Sequence, residues 1–200
     1  MFITGGLASG KNTVGEYLES KGATVRDLDV MAKDEQENPI IKEQIINQFG
    51  ADLLDVNGDI NRSLLAERAF SDADSAAKLG AICWPPVQER LADILIGGSC
   101  QPLEHAELTV VEIPLLVESG GFKDLADEIM TVEADEDIRL SRAIERGMSR
   151  EDAENRIELQ ATSEERCEVA DTVIYNNSTL ASLYEQIDGW YNERMGTRLF

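Results

Sequence analysis

Two glycines and a lysine close to the start of the chain constrain its fold more than any other feature. Residues 5–11, GGLASGK, follow a short apolar segment, Met1 to Thr4, that is typical of a β-strand. Lys11 to Ser20 has the apolar spacing of a helix and ends before Gly22, a common C-cap residue. Ala23 to Arg26 has the composition of a second strand. This order predicts a right-handed βαβ unit and therefore a parallel sheet.

The pattern Gly5-x-x-x-x-Gly10-Lys11 between a strand and a helix is typical of a phosphate-binding loop. Glycines let backbone N–H groups converge on phosphate oxygens, and the following helix directs the positive end of its dipole at them. Lys11 would reach the terminal phosphates of a nucleotide. The alternative is an ordinary glycine turn with a surface lysine, and the flanking strand and helix favour the phosphate loop.

The residue after the lysine departs from this pattern. A Ser or Thr hydroxyl binds Mg²⁺ at this position in such loops, whereas this chain has Asn12 followed by Thr13. Asn12 offers a carbonyl oxygen, which hard cations accept as a ligand, but its side chain is longer than that of serine. Thr13 lies about 100° further round the helix and cannot take the same position. We therefore expect an intact phosphate cradle, and the sequence leaves the Mg²⁺ contact of Asn12 open.

Carboxylates follow two of the predicted strands. Asp27 and Asp29 come at the end of the second strand, where alternation would place both on one face and where α/β sheets bind ligands. One of them could accept a proton from an attacking hydroxyl, as kinases require; the alternative is a solvated loop in an Asp-rich chain. Glu112 belongs to the most strand-like segment, 108–113, and is expected to hold a magnesium-bound water. Glu118 could serve the same end.

The rest of the chain alternates helices and strands. Asn38 to Gly98 has a helical pattern that we interpret as an insert, with its last helix, 71–97, interrupted at Pro85-Pro86. Strands are predicted at 129–132 and 172–175. Charged helices are predicted at 135–146 and 150–160, and a closing helix at 180–195. Strands that alternate with helices, with two helical inserts, predict an α/β fold.

Arg142 and Arg146 are four residues apart and therefore share one face of a helix. This spacing suits a clamp on a polyphosphate. The alternative is a set of ordinary ion pairs along the helix surface, with Glu145, Glu151 or Glu154 as partners.

Composition excludes several classes of function. The chain has 39 Asp and Glu residues against 18 Lys and Arg, a net charge of −21, and no basic block, so binding to nucleic acid or to an anionic membrane surface is not expected.

Cys83, Cys100 and Cys167 lack the spacing of a zinc or disulfide site. His105 is the only histidine and is given no catalytic role, which excludes Ser/His/Asp and Cys/His schemes. No apolar run approaches the roughly 18 residues of a membrane span, and the start lacks a signal sequence, so a cytoplasmic location is expected.

Together the motifs resemble the dephospho-CoA kinase family, and the resemblance runs the length of the chain. Six segments carry it in the family's order: Thr4–Val14, Asp27–Asp29, Gly58–Arg62 with Glu67–Phe70, Ile113–Glu118, Arg142 and Arg146 with Arg156 and Gln160, and Ala170–Asn177. Any one segment alone is weak evidence, and six of them in the right order make the resemblance strong.

The resemblance implies a single kinase domain of the P-loop type. Its core, a parallel sheet flanked by helices, would comprise about 1–33, 101–135 and 167–200, with a helical CoA-binding insert at about 34–100 and a mobile lid at about 136–166. The implied reaction transfers the γ-phosphoryl group of ATP to the 3′-hydroxyl of dephospho-CoA with the help of Mg²⁺. A monomer is expected.

The resemblance also implies roles for individual residues. Lys11 would stabilise the transferring phosphoryl group, Asp29 would orient or deprotonate the 3′-hydroxyl, and Arg142 would close onto the phosphates. The residues expected to bind ATP are Gly6, Ala8, Ser9, Gly10, Lys11, Asn12, Thr13, Arg142 and Arg146. The residues expected to bind dephospho-CoA are Asp27, Asp29, Lys33, Arg62, Trp84, Leu115 and Glu118.

The sequence departs from the family pattern at four of these positions. Asn12 replaces the family's serine, and Ala8 replaces a loop glycine, which we expect to be tolerable only if its φ is negative. Trp84 replaces a histidine and either stacks on a ligand or packs within the insert, and Lys33 replaces an arginine. A catalytically weakened homologue that binds nucleotide or CoA, and another small-molecule kinase on the same fold, are therefore the alternatives to an active dephospho-CoA kinase.

Overall fold

The structure, a computed structural model, describes residues 1–69, 71–95, 108–119 and 123–196. It divides into two compact units. One is formed by the described residues of Met1–Asp27 and Leu103–Phe200, and the other by those of Leu28–Pro102. Among all the described residues, no helix combines the length and the hydropathy that a membrane span requires.

Five strands and ten α-helices form within the described residues. The strands are β1 (Phe2–Thr4), β2 (Thr24–Asp27), β3 (Thr109–Glu112), β4 (Ile129–Glu133) and β5 (Thr172–Tyr175). The helices are α1 (Lys11–Ser20), α2 (Leu28–Gln36), α3 (Pro39–Phe49), α4 (Arg62–Ala69), α5 (Ala73–Leu95), α6 (Leu116–Ser119), α7 (Glu136–Glu145), α8 (Arg150–Glu158), α9 (Ser163–Val169) and α10 (Leu180–Gly196).

The first unit is built on a parallel sheet with the strand order β2-β3-β1-β4-β5. Phe2 of β1 is the register partner of Val111 in β3 on one side and of Ile129 in β4 on the other. β1 and β4 are buried along their whole length, as expected for strands of a sheet covered on both faces. The predicted α/β fold with a parallel sheet is therefore confirmed.

The core of this unit joins the sheet to helices α1 and α10. Val14 and Leu18 of α1 and Ile187 of α10 are fully buried against Ile3 and Val132 of the central strands. Burial of such side chains contributes roughly 1.5–3 kcal/mol each. This packing fixes the start of α1, and with it the loop that precedes the helix.

The second unit is a cluster of helices α2 to α5. Asn38 caps α3 by accepting a hydrogen bond from the Ile40 N–H, with Pro39 in the first turn. Ile41 and Ile45 of α3 pack with Leu65 of α4 in its core. The predicted helical pattern of this region agrees with the elements observed up to Leu95, and residues 96–98 lie outside the described part of the chain.

One expectation about the helices is wrong. α5 continues through Pro85 and Pro86, where an interruption was expected. Cys83, Val87 and Leu91 are spaced four residues apart and are buried, so the packing of this face offsets the hydrogen bonds that the prolines cannot donate.

Helices α2, α6 and α9 were not expected from the sequence. α9 begins with a capping box, in which the Thr162 side chain accepts from the Glu165 N–H and the Glu165 carboxylate accepts from the Thr162 N–H. α6 and α9 are short, with four and seven residues, so neither presents a long periodic pattern.

A buried ion pair ties α9 to the sheet. Arg166 of α9 and Glu133 of β4 are each 2% exposed and are joined by two hydrogen bonds, Nε to Oε1 at 2.7 Å and Nη2 to Oε2 at 2.6 Å. Thr131 and Ser163 also donate to the Glu133 carboxylate. Burial disfavours the charged form of Glu133, but the hydrogen bonds from Arg166 and Thr131 outweigh it and hold the pKa of Glu133 below its usual value.

We expect Arg166→Met alone to lower the free energy of unfolding by about 3 kcal/mol, because it leaves Glu133 charged and buried. The double variant Glu133→Gln/Arg166→Met should recover more than half of that loss. Urea unfolding of both variants measures the difference. Arg150→Met, which removes an exposed pair with Glu154, is the control and should cost less than about 0.5 kcal/mol. Equal losses in the single and double variants would show that the pairing itself is not what the fold depends on.

Candidate functional site

The loop between β1 and α1 has backbone conformations that require glycine. Gly5 has a φ of 147° and Gly10 a φ of 109°. A Cβ atom at Gly5 would overlap with the carbonyl oxygen of Val132, and one at Gly10 would overlap with the side-chain amide of Asn176. Asn176, which follows β5, donates from Nδ2 to the carbonyl oxygen of Ser9 at 2.8 Å. The loop is thus held against the carboxyl ends of two neighbouring strands.

Ala8 has a φ of +57°, so the expectation of a negative φ at this position is wrong. A non-glycine residue in the left-handed region costs roughly 1–2 kcal/mol. Ala8 is buried and packs with Ala143 of α7 and Ala153 of α8, and this packing holds the methyl group in place. The neighbouring Ser9 N–H donates to the Gly6 carbonyl oxygen at 3.2 Å and closes the turn.

The Lys11 side chain folds over the loop. Its Nζ atom lies 2.7 Å from the Gly5 carbonyl oxygen and 3.1 Å from that of Gly6. The ammonium group is therefore already located at the residues that surround a bound phosphate in loops of this kind.

Glu112 and Asp27 are neighbours at the ends of β3 and β2, where they are register partners. Glu112 is 6% exposed, and its carboxylate packs against the backbone of Gly15 in α1. Burial, and then the charge of Asp27, raise the pKa of Glu112 to about 7, while Lys11 acts in the opposite direction. A carboxylate in this position would be stabilised in its charged form by a nearby cation.

Asp29 does not lie on the strand with Asp27, so the expectation that alternation places both carboxylates on one strand face is wrong. β2 ends at Asp27, and α2 begins at Leu28. Leu28 and Met31 are buried with helical spacing, and Asp29 lies in the first turn, where the helix dipole favours an acidic side chain.

The oxygen donors near the loop suit Mg²⁺ that arrives with a nucleotide. No group of three or more His, Cys, Asp or Glu residues capable of holding a metal occurs among the described residues. Glu112 and Asp27 supply carboxylates, and Asn12 is exposed in the first turn of α1. Mg²⁺ commonly uses one or two carboxylates and takes its other ligands from water and phosphate. The donor set fits this pattern.

On the other side of the loop, a cavity of about 180 Å³ brings together several residues predicted to bind ATP. Its lining includes Ala8, Gly10, Thr13, Arg142 and Arg146. Asn176 also lines it.

Arg142 is anchored beside this cavity. Its Nη2 atom donates to the Asn176 carbonyl oxygen at 3.0 Å, while its buried Nη1 atom has no hydrogen-bond partner in the described part of the chain. Within the described ranges neither Arg142 nor Arg146 forms an ion pair, so the surface pairs considered as an alternative are not observed. Glu154 pairs instead with Arg150.

The residues predicted to bind dephospho-CoA fall in both units. Asp29 and Lys33 lie on α2, Arg62 of α4 pairs with Glu37 at 3.0 Å, and Trp84 of α5 is half-buried over Gly80. These residues belong to the second unit.

The others belong to the first unit. Asp27 ends β2, Leu115 is 45% exposed, and the Glu118 carboxylate accepts a hydrogen bond from the Ala161 N–H at 2.8 Å. His105 and Cys100 lie outside the described residues, and Cys83 and Cys167 are free thiols.

No role is predicted from the sequence for three polar residues near the loop. Gln160 accepts a hydrogen bond from the Leu7 N–H at 2.7 Å, and Asn176 holds Ser9 as described above. Both lie in segments that resemble the family, which was the available signal. Arg139 of α7 lies against Gly6, and no feature of the sequence separates it from the other arginines of its helix.

We expect Glu112→Gln to stabilise the ligand-free protein at high pH. The folded state binds the Glu112 proton more tightly than the unfolded state, so this group contributes stability at low pH that is lost as the pH rises from about 4.5 to about 7. At pH 8 the variant should be more stable by about 2 kcal/mol, and the difference should shrink to a small fraction of that at pH 5. Urea unfolding at the two pH values, without metal, measures this. The exposed Glu43→Gln is the control; a Glu112→Gln effect independent of pH would contradict the prediction.

Comparison with known proteins agrees with this geometry. A family model described as dephospho-CoA kinase matches residues 1–182. The dephospho-CoA kinase of Fusobacterium nucleatum is 39% identical over 187 residues, which cover 93% of each chain. The crystal structure of a Thermus thermophilus protein superposes with a TM-score of 0.80 at 32% identity, covering 96% of this chain and 95% of that one.

The fold is also shared with the dephospho-CoA kinase of Campylobacter jejuni, at a TM-score of 0.73 and 24% identity, over 99% of this chain and 98% of that one. A phosphate loop at the centre of a parallel sheet, and a match over nearly the whole length, lead to one conclusion: this chain belongs to the dephospho-CoA kinase family.

Proposed function

We propose that the protein transfers the γ-phosphoryl group of ATP to the ribose 3′-hydroxyl of dephospho-CoA, giving coenzyme A and ADP. The observation that carries this proposal is the arrangement around the loop. Lys11 lies on the loop itself, the carboxylates of Glu112 and Asp27 lie at the ends of strands on one side, and Arg142 lies on the other. Membership of the dephospho-CoA kinase family supports the choice of acceptor.

Catalysis by such a site rests on position and charge. Phosphoryl transfer spreads negative charge over the oxygens of the transferring group, so fixed donors and cations around it lower the barrier. The loop N–H groups and the ammonium of Lys11 supply this stabilisation. Lys11 exchanges part of its contact with the Gly5 and Gly6 carbonyl oxygens for phosphate oxygens when the nucleotide binds.

Arg142 and Arg146 act as the clamp on the nucleotide. The buried Nη1 atom of Arg142 has no partner among the described residues, and a phosphate oxygen would provide one. Closure of the segment 136–166 over the nucleotide would exclude water, which suppresses hydrolysis of ATP.

The acceptor is bound, in this proposal, by residues of the helical insert at about 34–100 and by others of the core. Asp29 orients the 3′-hydroxyl and accepts its proton. The further residues proposed to contact dephospho-CoA are Asp27, Lys33, Arg62, Trp84, Leu115 and Glu118. Arg62 now pairs with the exposed Glu37, a weak interaction that an anionic ligand can replace.

Mg²⁺ would be held beside the loop by Glu112, through water, and by Asn12. When bound with ATP it neutralises charge on the phosphates.

We further propose that the enzyme works in the cytoplasm and that it is a monomer. The net charge of −21 favours a monomer because like-charged copies repel each other.

A coupled assay of ADP release with ATP, Mg²⁺ and dephospho-CoA tests the proposal. We expect turnover with dephospho-CoA and none with coenzyme A, whose 3′-hydroxyl is already phosphorylated. Lys11→Ala should lower kcat by at least about 100-fold, because it removes a preorganised charge from the transferring group. Wild-type turnover no higher than that of Lys11→Ala would contradict an active kinase and favour a homologue that only binds nucleotide or CoA.

We expect Asn12→Ser to lower the Mg²⁺ concentration needed for half-maximal rate, because a serine hydroxyl is the usual ligand at this position. The measurement is a Mg²⁺ titration of the coupled assay at saturating substrates. Asn47→Ser, an exposed change on α3, is the matched control and should leave the titration unchanged. An unchanged or higher requirement in Asn12→Ser would show that Asn12 is not a defective ligand.

A further inference from the structure

Arg139 of α7 is buried without the hydrogen-bond partners that its guanidinium needs. The residue is 7% exposed, and its Nε and Nη1 atoms have no partner among the described residues. Arginine has donors but no acceptor, and a buried donor left unpaired is costly. Folded proteins rarely leave such groups unsatisfied, so an absent ligand is the first explanation to consider.

No ion pair joins Arg139 to a carboxylate among the described residues, although the charges of Glu133 and Glu136 act on it. Glu133 is already paired with Arg166, and Glu136 is exposed to solvent. Burial, and then the charge of Arg166, lower the pKa of Arg139. Since arginine does not give up its proton in proteins, the positive charge remains, and a bound anion with direct hydrogen bonds would compensate it.

The guanidinium lies against the phosphate loop. A Cβ atom at Gly6 would overlap with Nη1 of Arg139, so the absence of a side chain at Gly6 is what allows this approach. Lys11 contacts the same residue, with Nζ at 3.1 Å from the Gly6 carbonyl oxygen. Lys11 and Arg139 thus converge on one glycine of the loop, and Nη2 of Arg166 also lies near it.

The charges around Arg139 favour an anion bound in the phosphate loop over one that enters through the neighbouring cavity. Arg139 also lines a cavity of about 660 Å³, but much of that lining is acidic, including Glu133, Glu136, Glu154 and Glu158. Such walls repel a free anion that would enter through the cavity. A phosphate bound in the loop meets no such barrier.

We infer that Arg139 is a further phosphate-binding residue, which contacts the terminal phosphate of the nucleoside triphosphate beside Lys11. The inference rests on the proposed function only in taking the nucleotide as the ligand of the loop. Hydrogen bonds from a guanidinium to phosphate are charge-assisted, and they strengthen as negative charge grows on the transferring group. Arg139 therefore distinguishes ATP from ADP, because only ATP carries the terminal phosphate.

Titration calorimetry with Mg²⁺ and either ATP or ADP, without an acceptor, tests this assignment. Arg139→Gln should weaken ATP binding by about tenfold or more and ADP binding by less than about threefold. Arg139→Lys, which keeps the charge, should fall between the wild type and Arg139→Gln for ATP. Arg150→Gln, which removes an exposed arginine from α8, is the control and should change neither affinity by more than about twofold.

Thermal unfolding of the ligand-free variants separates this role from a structural one. If Arg139 awaits a ligand, Arg139→Gln removes an uncompensated buried charge and should melt at the same temperature as the wild type or higher. A lower melting temperature, or equal losses of ATP and ADP affinity, would overturn the inference. The coupled assay with dephospho-CoA decides the proposed function separately, because the binding experiment contains no acceptor.

Discussion

The position of β1 between β3 and β4 is the constraint on which the rest of the site depends. β1 has only three residues, yet it pairs with both neighbours and is fully buried. The chain therefore leaves the middle of the sheet at the carboxyl end of β1, and the phosphate loop connects it to α1. The strands on either side end in carboxylates, Glu112 of β3, which belongs to the site, and Glu133 of β4, which holds Arg166, at distances that the spacing of the strands determines. The phosphate loop is thus placed by the pairing of a short strand.

Much of this could be predicted from the sequence, because the signals are local. The loop glycines, the helix that begins at Lys11 and the apolar run of β3 each lie within a few consecutive residues, and their order fixes a parallel sheet. Local rules failed where packing opposed them. Ala8 adopts a left-handed backbone because its methyl group is enclosed by α7 and α8, and α5 continues through Pro85 because its buried face compensates.

The remaining features depend on contacts between residues far apart in the chain. Glu133 and Arg166 are 33 residues apart, and nothing near either one marks it as a buried partner of the other. Arg139 resembles any helical arginine until the fold places it against Gly6. Asp29 was expected on a strand because it lies two residues after Asp27, the alternation of a strand. Instead the segment is a helix, in which Leu28 and Met31 form the buried face. Such features follow from tertiary structure, which composition and periodicity do not specify.

The hydrogen bond from the Leu7 N–H to Gln160 has a consequence for how the loop responds to ligands. This bond occupies the N–H group of Leu7, and the Gln160 side chain that accepts it lies beyond the end of α8. Any ligand that takes this donor must release Gln160, so ligand binding and the position of the α8–α9 junction are thermodynamically linked. Linkage of this kind is reciprocal. A substitution that detaches Gln160 would therefore alter affinity at the loop without touching the ligand, and the ligand would in turn alter the stability of a segment 153 positions along the chain.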